Sequence, residues 1–156
     1  MYGNGGVVKA ASPRHQLKRY EESIAQGGMR LTRQRKHVYE VLLARPDHPT
    51  AMEVFLRAKP EMKSLSLATV YNVLETLVQR GLVRKVRLDG TSTHYCANTM
   101  EHGHFTCVVC GAVLDVPLLD GGELEKLHRL PRGYTVVQQE VSLHGTCAVC
   151  GKKMKL

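Results

Sequence analysis

The sequence predicts an α+β chain in two halves: a basic unit of three helices closed by a β-hairpin, and a smaller sheet-forming unit stapled by metal-ligating cysteines. Three observations carry that expectation. Apolar residues recur at helical spacing in three successive stretches between Met29 and Gly81. The positive excess is confined to the first half: residues 1–95 hold 16 Lys and Arg against 8 Asp and Glu, while residues 96–156 hold 6 against 6, so the formal +8 arises entirely there. Four of the five cysteines form two Cys-x-x-Cys steps, Cys107/Cys110 and Cys147/Cys150, with a His-x-His of His102 and His104 just before the first.

Each element has a local cause. Residues 1–13 are glycine-rich at the start and read as a loose tail. Arg33 to Ala44 aligns Val38, Tyr39, Val41 and Leu42 on one stripe and stops at the turn Arg45-Pro46-Asp47-His48-Pro49. Thr50 is placed to cap a second helix, Ala51 to Ala58, with Val54 and Phe55 inward. Ser66 caps a third, in which Leu67, Val70, Leu74, Leu77 and Val78 share a face and Gly81 ends the run. The opposite face of that helix shows Thr69, Tyr71, Asn72, Thr76 and Arg80, groups able to reach phosphates and base edges in a DNA major groove. Leu82 to Leu88 and Ser92 to Cys96 read as strands joined by an Asp89-Gly90 turn. Three helices followed by a hairpin is the winged-helix plan, whose third helix reads DNA.

Beyond a hinge at residues 97–103, the second half reads strand, strand, helix, strand: His104 to Val108, Ala112 to Val116, Gly122 to Arg129, and Thr135 to Leu143 leading into Cys147. The domain boundaries are therefore 1–96 and 104–156. So thin a sheet is naturally covered by a second copy of the chain. Two cysteine pairs suffice for a tetrahedral zinc cage, and a reducing compartment favours metal ligation over disulfides.

Several functional classes are excluded. No apolar run approaches the roughly 18 residues of a membrane span, and Tyr2 to Val8 lacks the apolar core of an export signal, so a soluble cytoplasmic protein is expected. A cysteine enzyme using Cys96 beside His94 or His102 has no orienting acid, and no phosphate-cradling glycine loop or thioredoxin-like pattern is present, so neither catalysis nor a small organic substrate is expected.

The runs Arg30-Leu31-Thr32-Arg33-Gln34-Arg35, His48-Pro49-Thr50-Ala51, Leu67-Ala68-Thr69-Val70-Tyr71-Asn72 and His102-Gly103-His104-Phe105-Thr106-Cys107-Val108-Val109-Cys110-Gly111 resemble the ferric uptake regulator (Fur) family, from about residue 15 onward. The resemblance implies a homodimeric, metal-dependent repressor of transcription, with an N-terminal winged helix that binds a double-stranded DNA operator and a C-terminal α/β dimerisation domain. It assigns Cys107, Cys110, Cys147 and Cys150 to a structural zinc site and His48, Cys96, His102, His104 and Asp115 to a regulatory metal, with Glu101 in reserve. By residue type alone, His48 also fits a turn, Cys96 a small buried hydrophobe and Asp115 a strand edge. Tyr71, Asn72 and Thr69 are the expected base-reading groups, and Arg30, Thr32, Arg33 and Arg35 the expected phosphate contacts.

Two branches of the family compete. Cys96 stands where zinc-uptake regulators place a thiolate and iron or peroxide sensors a carboxylate, which favours zinc over ferrous iron or manganese. His48-Pro49-Thr50-Ala51 and Tyr71-Asn72 look instead like the peroxide branch. Gly103 and Gln138-Gln139 replace ligands of the additional site found in some members, so a third metal is not expected.

Overall fold

The computed structural model describes residues 12–27, 30–87, 92–118, 130–137 and 139–153. The chain divides into two compact units, Ala10–Thr99 and Met100–Leu156. The Asp89-Gly90 turn, the expected helix Gly122 to Arg129 and nearly all of the 1–13 tail lie outside the described residues. Among the described residues, no helix is long and apolar enough to cross a membrane.

The first unit contains α1 (Pro13–Gln26), α2 (Arg33–Ala44), α3 (Ala51–Ala58), α4 (Leu67–Gln79), β1 (Arg84–Val86) and β2 (His94–Cys96). Sequence reasoning missed α1. Ser12 caps it and Pro13 occupies its first turn, where a missing N–H costs nothing. Its inward residues Gln16, Tyr20 and Ile24 recur every four positions, and a stripe containing a glutamine is too weakly apolar to register as a core face. Tyr20 packs on Tyr39 of α2 with ring centroids 5.0 Å apart. Burial pushes the Tyr39 phenol up to about 12.

The three expected helices are present, two with the expected caps Thr50 and Ser66 and the first capped by Thr32. Val38, Tyr39, Leu42, Val54, Val70, Val73, Leu74 and Leu77 form their common core, with Val41, Phe55 and Val78 packed at its margin. Gly81 ends α4 at φ 65, a left-handed conformation that a side chain disfavours. There Gly81 N–H donates to Val78 O and Leu82 N–H to Leu77 O, the paired bonds of a Schellman stop. Leu82 is consumed by that cap, so the hairpin strand starts later than expected, at Arg84. β1 pairs antiparallel with β2, Arg84 opposite Cys96.

The second unit contains β3 (His102–Cys107), β4 (Val113–Pro117), β5 (Ser142–Gly145) and a short α5 (Ala148–Lys153). The sheet order is β4-β3-β5, antiparallel for β3 with β4 and parallel for β3 with β5. His102 and Gly103, read from sequence as hinge residues, open β3. The long strand expected over Thr135 to Leu143 is corrected to Ser142–Gly145, because only those residues find a ladder partner in β3. Val136 and Val137 have the right side chains for a strand yet stand exposed without one.

The α3 start is a complete capping box: Glu53 N–H donates to Thr50 Oγ1 at 3.3 Å and Thr50 N–H to Glu53 Oε2 at 2.7 Å. The Thr50 N–H holds the Glu53 carboxyl below its usual range. Thr50→Ala should destabilise the first unit by about 1 kcal/mol in denaturant titration. A depressed carboxylate stabilises the fold above its unfolded pKa, so the box's contribution should be complete at neutral pH and fade as acid protonates Glu53.

Candidate metal centres

Alternation along β3 puts His102 and His104 on the same face, and the ladder places Asp115 of β4 directly opposite His104. The two Nε2 atoms lie 3.0 Å apart, and Asp115 Oδ1 lies 3.6 Å from the first and 3.9 Å from the second. Metal–nitrogen bonds of 2.0–2.1 Å give tetrahedral ligand separations of about 3.3 Å, so these three groups are spaced to share one ion. The Met100 carbonyl can only accept, so His102 Nδ1–H donates to it at 2.6 Å and leaves the Nε2 lone pair facing His104. Such a backbone anchor for the far ring nitrogen is the usual support of a metal-bound imidazole. Both histidines are buried. Glu101 is exposed and belongs to neither ligand cluster.

The first unit holds a second pair of donors. His48 and Cys96 are 4 % and 3 % exposed, with ligand atoms within 4.8 Å of each other. His48 sits in the turn after α2 at φ 56, a conformation costing a non-glycine residue on the order of 1–3 kcal/mol. The turn is pinned on both sides. Arg57 forks onto Asp47 at 2.8 and 2.9 Å; burial alone would raise the Asp47 carboxyl, but that fork and Arg45 hold it below its usual range. On the other side Tyr95 N–H donates to Pro49 O at 3.0 Å, and His94 Nδ1–H donates to His48 O at 2.8 Å. Sequence reasoning considered His94 only as an enzymatic base; its position two residues before Cys96 on a strand was the signal that both share a face.

The four remaining cysteines converge at the far end of β3. Cys107 ends β3, and the parallel register sets Gly145 of β5 opposite it, so Cys147 and Cys150 arrive beside it as β5 turns into α5. Gly145 keeps that approach close: a Cβ there would lie 3.1 Å from Phe105 Cε2, so the ring would have to give way. The sulfurs lie within 4.8 Å of one another, with Cys110 and Cys147 3.8 Å apart. Zinc–sulfur bonds of about 2.3 Å predict a tetrahedral edge of about 3.8 Å, so the set fits zinc. N–H groups of Cys147 and Cys110 bring Cys107 down to about 6, whereas the thiols of Cys147 and Cys110 push Cys150 up to about 12. A bound zinc must displace the Cys150 proton, so rising pH favours loading.

The expected DNA-reading residues fall into two groups. Tyr71 and Asn72 are exposed on α4, away from its buried face, and Arg30 and Arg33 are exposed beside α2. Thr69 joins the Ser66 cap at 2.8 Å, Thr32 caps α2, and Arg35 donates to Arg30 O at 2.7 Å. Arg80 is turned inward, donating to Ser23 O of α1 at 2.9 Å.

A family profile described as the ferric uptake regulator family matches residues 26–144. The chain belongs to that family. As a Fur-family protein it is a metal-responsive repressor, not an enzyme. It is 30 % identical over 146 residues to the peroxide-responsive repressor PerR of Staphylococcus aureus, covering 94 % of this chain and 99 % of that one. The fold matches the ferric uptake regulator of Helicobacter pylori with a TM-score of 0.71 at 20 % identity, over 92 % of this chain and 97 % of the other. It also matches a zinc uptake regulator complexed with zinc and DNA, TM-score 0.70 at 22 % identity, over 94 % and 99 %. The winged-helix and α/β halves are thus those of the Fur fold.

Cys147→Ser should lower the zinc content of purified protein by one ion per chain. It should also expose β3 and β5 to amide exchange while α2–α4 keep their protection. Full zinc content in the variant would remove the four-sulfur assignment.

Proposed function

We propose that this Fur-family repressor senses zinc, through one ion held by His48, Cys96, His102, His104 and Asp115, and controls metal-uptake genes from the cytoplasm as a DNA-bound homodimer. The observation carrying the reading is Cys96: a buried thiol placed beside the His48 imidazole supplies a soft donor, which suits zinc better than ferrous iron or manganese. Iron and peroxide sensors of the family use a carboxylate at that position. Cys107, Cys110, Cys147 and Cys150 hold a second, structural zinc. An ion drawing ligands from both units restricts the arrangements available to them, and binding favours the arrangement whose reading helices fit the operator.

The DNA reading is supported by the basic first unit, by the exposed Tyr71 and Asn72 on α4, and by the fold shared with the zinc- and DNA-bound regulator. The Arg30 and Arg33 side chains are exposed, whereas Thr32 caps α2 and the Arg35 side chain is held by the Arg30 carbonyl, so Arg30 and Arg33 are assigned to phosphates. Homodimerisation is supported by the apolar row Leu114, Phe105 and Leu143 across β4-β3-β5, which lies on the face opposite the histidines and leaves Leu114 and Leu143 57 % and 44 % exposed.

Peroxide sensing through bound ferrous iron is the competing reading, favoured by the 30 % identity to the peroxide-responsive repressor. Operator retardation by protein carrying only its structural zinc, offered zinc, manganese or ferrous iron in turn, separates the two. Zinc sensing predicts a zinc-specific shift that Cys96→Ser abolishes. A shift with iron or manganese that peroxide erases would establish the competitor. On the DNA side, Asn72→Ala should cost about 1–3 kcal/mol on the operator and little on random DNA, whereas Arg33→Ala should weaken both alike and flatten the salt dependence.

A further inference from the structure

We propose that His94 is a positioning residue of the regulatory centre, fixing the turn that presents His48. The inference rests on the assignment of His48 and Cys96 as metal ligands and adds to it a residue that is not itself a ligand. His94 and Cys96 lie two residues apart on β2 and therefore share a face. From that face the His94 ring donates its Nδ1–H to the main-chain carbonyl of His48 at 2.8 Å. The same strand residue forms an antiparallel bridge to Thr50, and its neighbour Tyr95 donates N–H to Pro49 O at 3.0 Å. His48 needs such support, because it is the one non-glycine residue with positive φ among the described residues. Left to itself, a histidine relaxes from that conformation toward negative φ, which would swing the imidazole away from Cys96. The hydrogen bond from His94 thus ties the conformation of one ligand to the strand carrying the other. The fork of Arg57 onto Asp47 holds the preceding residue of the turn, but it does not reach the His48 carbonyl.

The test uses the full chain with zinc retained at the four cysteines, and cobalt(II) as the probe of the regulatory centre. His94→Phe keeps a ring of similar size and removes the donor; His94→Asn restores an N–H near the position of Nδ1. Loss of an outer-shell support typically costs 10- to 100-fold in metal affinity, so His94→Phe should weaken cobalt binding by about that factor, and His94→Asn should recover most of it. The cobalt–thiolate absorption should persist in both variants, since Cys96 still ligates. In a His48→Ala background, His94→Phe should have no further effect, because His94 acts through His48. Unchanged affinity in His94→Phe overturns the inference, as does failure of His94→Asn to recover binding, or a full additional loss in the His48→Ala background. If His48→Ala alone leaves cobalt affinity unchanged, the ligand assignment itself fails, and the two failures are thereby distinguished.

Discussion

The register of β3 between β4 and β5 is the constraint on which the second unit's metal chemistry depends. His102 and His104 share a face because strand side chains alternate, and Asp115 joins them because the antiparallel ladder sets it opposite His104. Cys147 arrives beside Cys107 because β5 runs parallel to β3 with Gly145 opposite Cys107. A slip of one residue would turn the histidines to the other face and carry the sulfurs out of range. The four cysteines close at the end of the strand where such a slip would be felt, so an ion held there would select the same pairing as the backbone ladder. Close approach is built into that pairing as well: Gly103 lies against Val141, where a Cβ would come within 3.1 Å of the valine side chain. The residue that separates the two histidines is therefore small for a packing reason.

Metal donors gathered in a dry site lose their water and must find other partners. Both units gather such donors. Nε2 atoms meet at 3.0 Å in one, and in the other a histidine is held in a left-handed turn beside a buried thiol. Each is a partial coordination set, two or three donors where zinc takes four. On the proposed reading, an ion that draws on both sets would link its affinity to the arrangement of the two units. A sulfur donor suits zinc on the proposed reading, and the Met100 carbonyl fixes which ring nitrogen His102 presents.

The helical half was legible because its signals are local and redundant. Thr50, Ser66 and Gly81 each mark an end by their own chemistry, and the apolar stripes between them agree with those ends. The convergence of the four cysteines was legible from spacing alone. What was missed depends on partners distant in the chain. The helix α1 is anchored by Gln16, whose amide reaches the Ala97 carbonyl 81 residues away, and by a tyrosine pair, neither of which makes a strong apolar pattern. Thr135 to Val137 have strand-forming side chains but no ladder partner, so propensity overcalled them. The bond from His94 to the His48 carbonyl was not legible, because holding a main-chain carbonyl in another turn leaves no periodic trace. The candidate regulatory ligands came from family resemblance, and the register accounts for the grouping of His102, His104 and Asp115.

If one ion draws its ligands from both units, its inner shell must mix the single sulfur that Cys96 offers with the imidazoles of β3. X-ray absorption at the cobalt edge, with cobalt loaded at the regulatory centre and zinc left at the four cysteines, reads that shell directly. The expected result is one sulfur neighbour at about 2.3 Å together with imidazole nitrogens at about 2.0–2.1 Å. A shell of nitrogen and oxygen alone, or one with sulfur but no imidazole scattering, would contradict it.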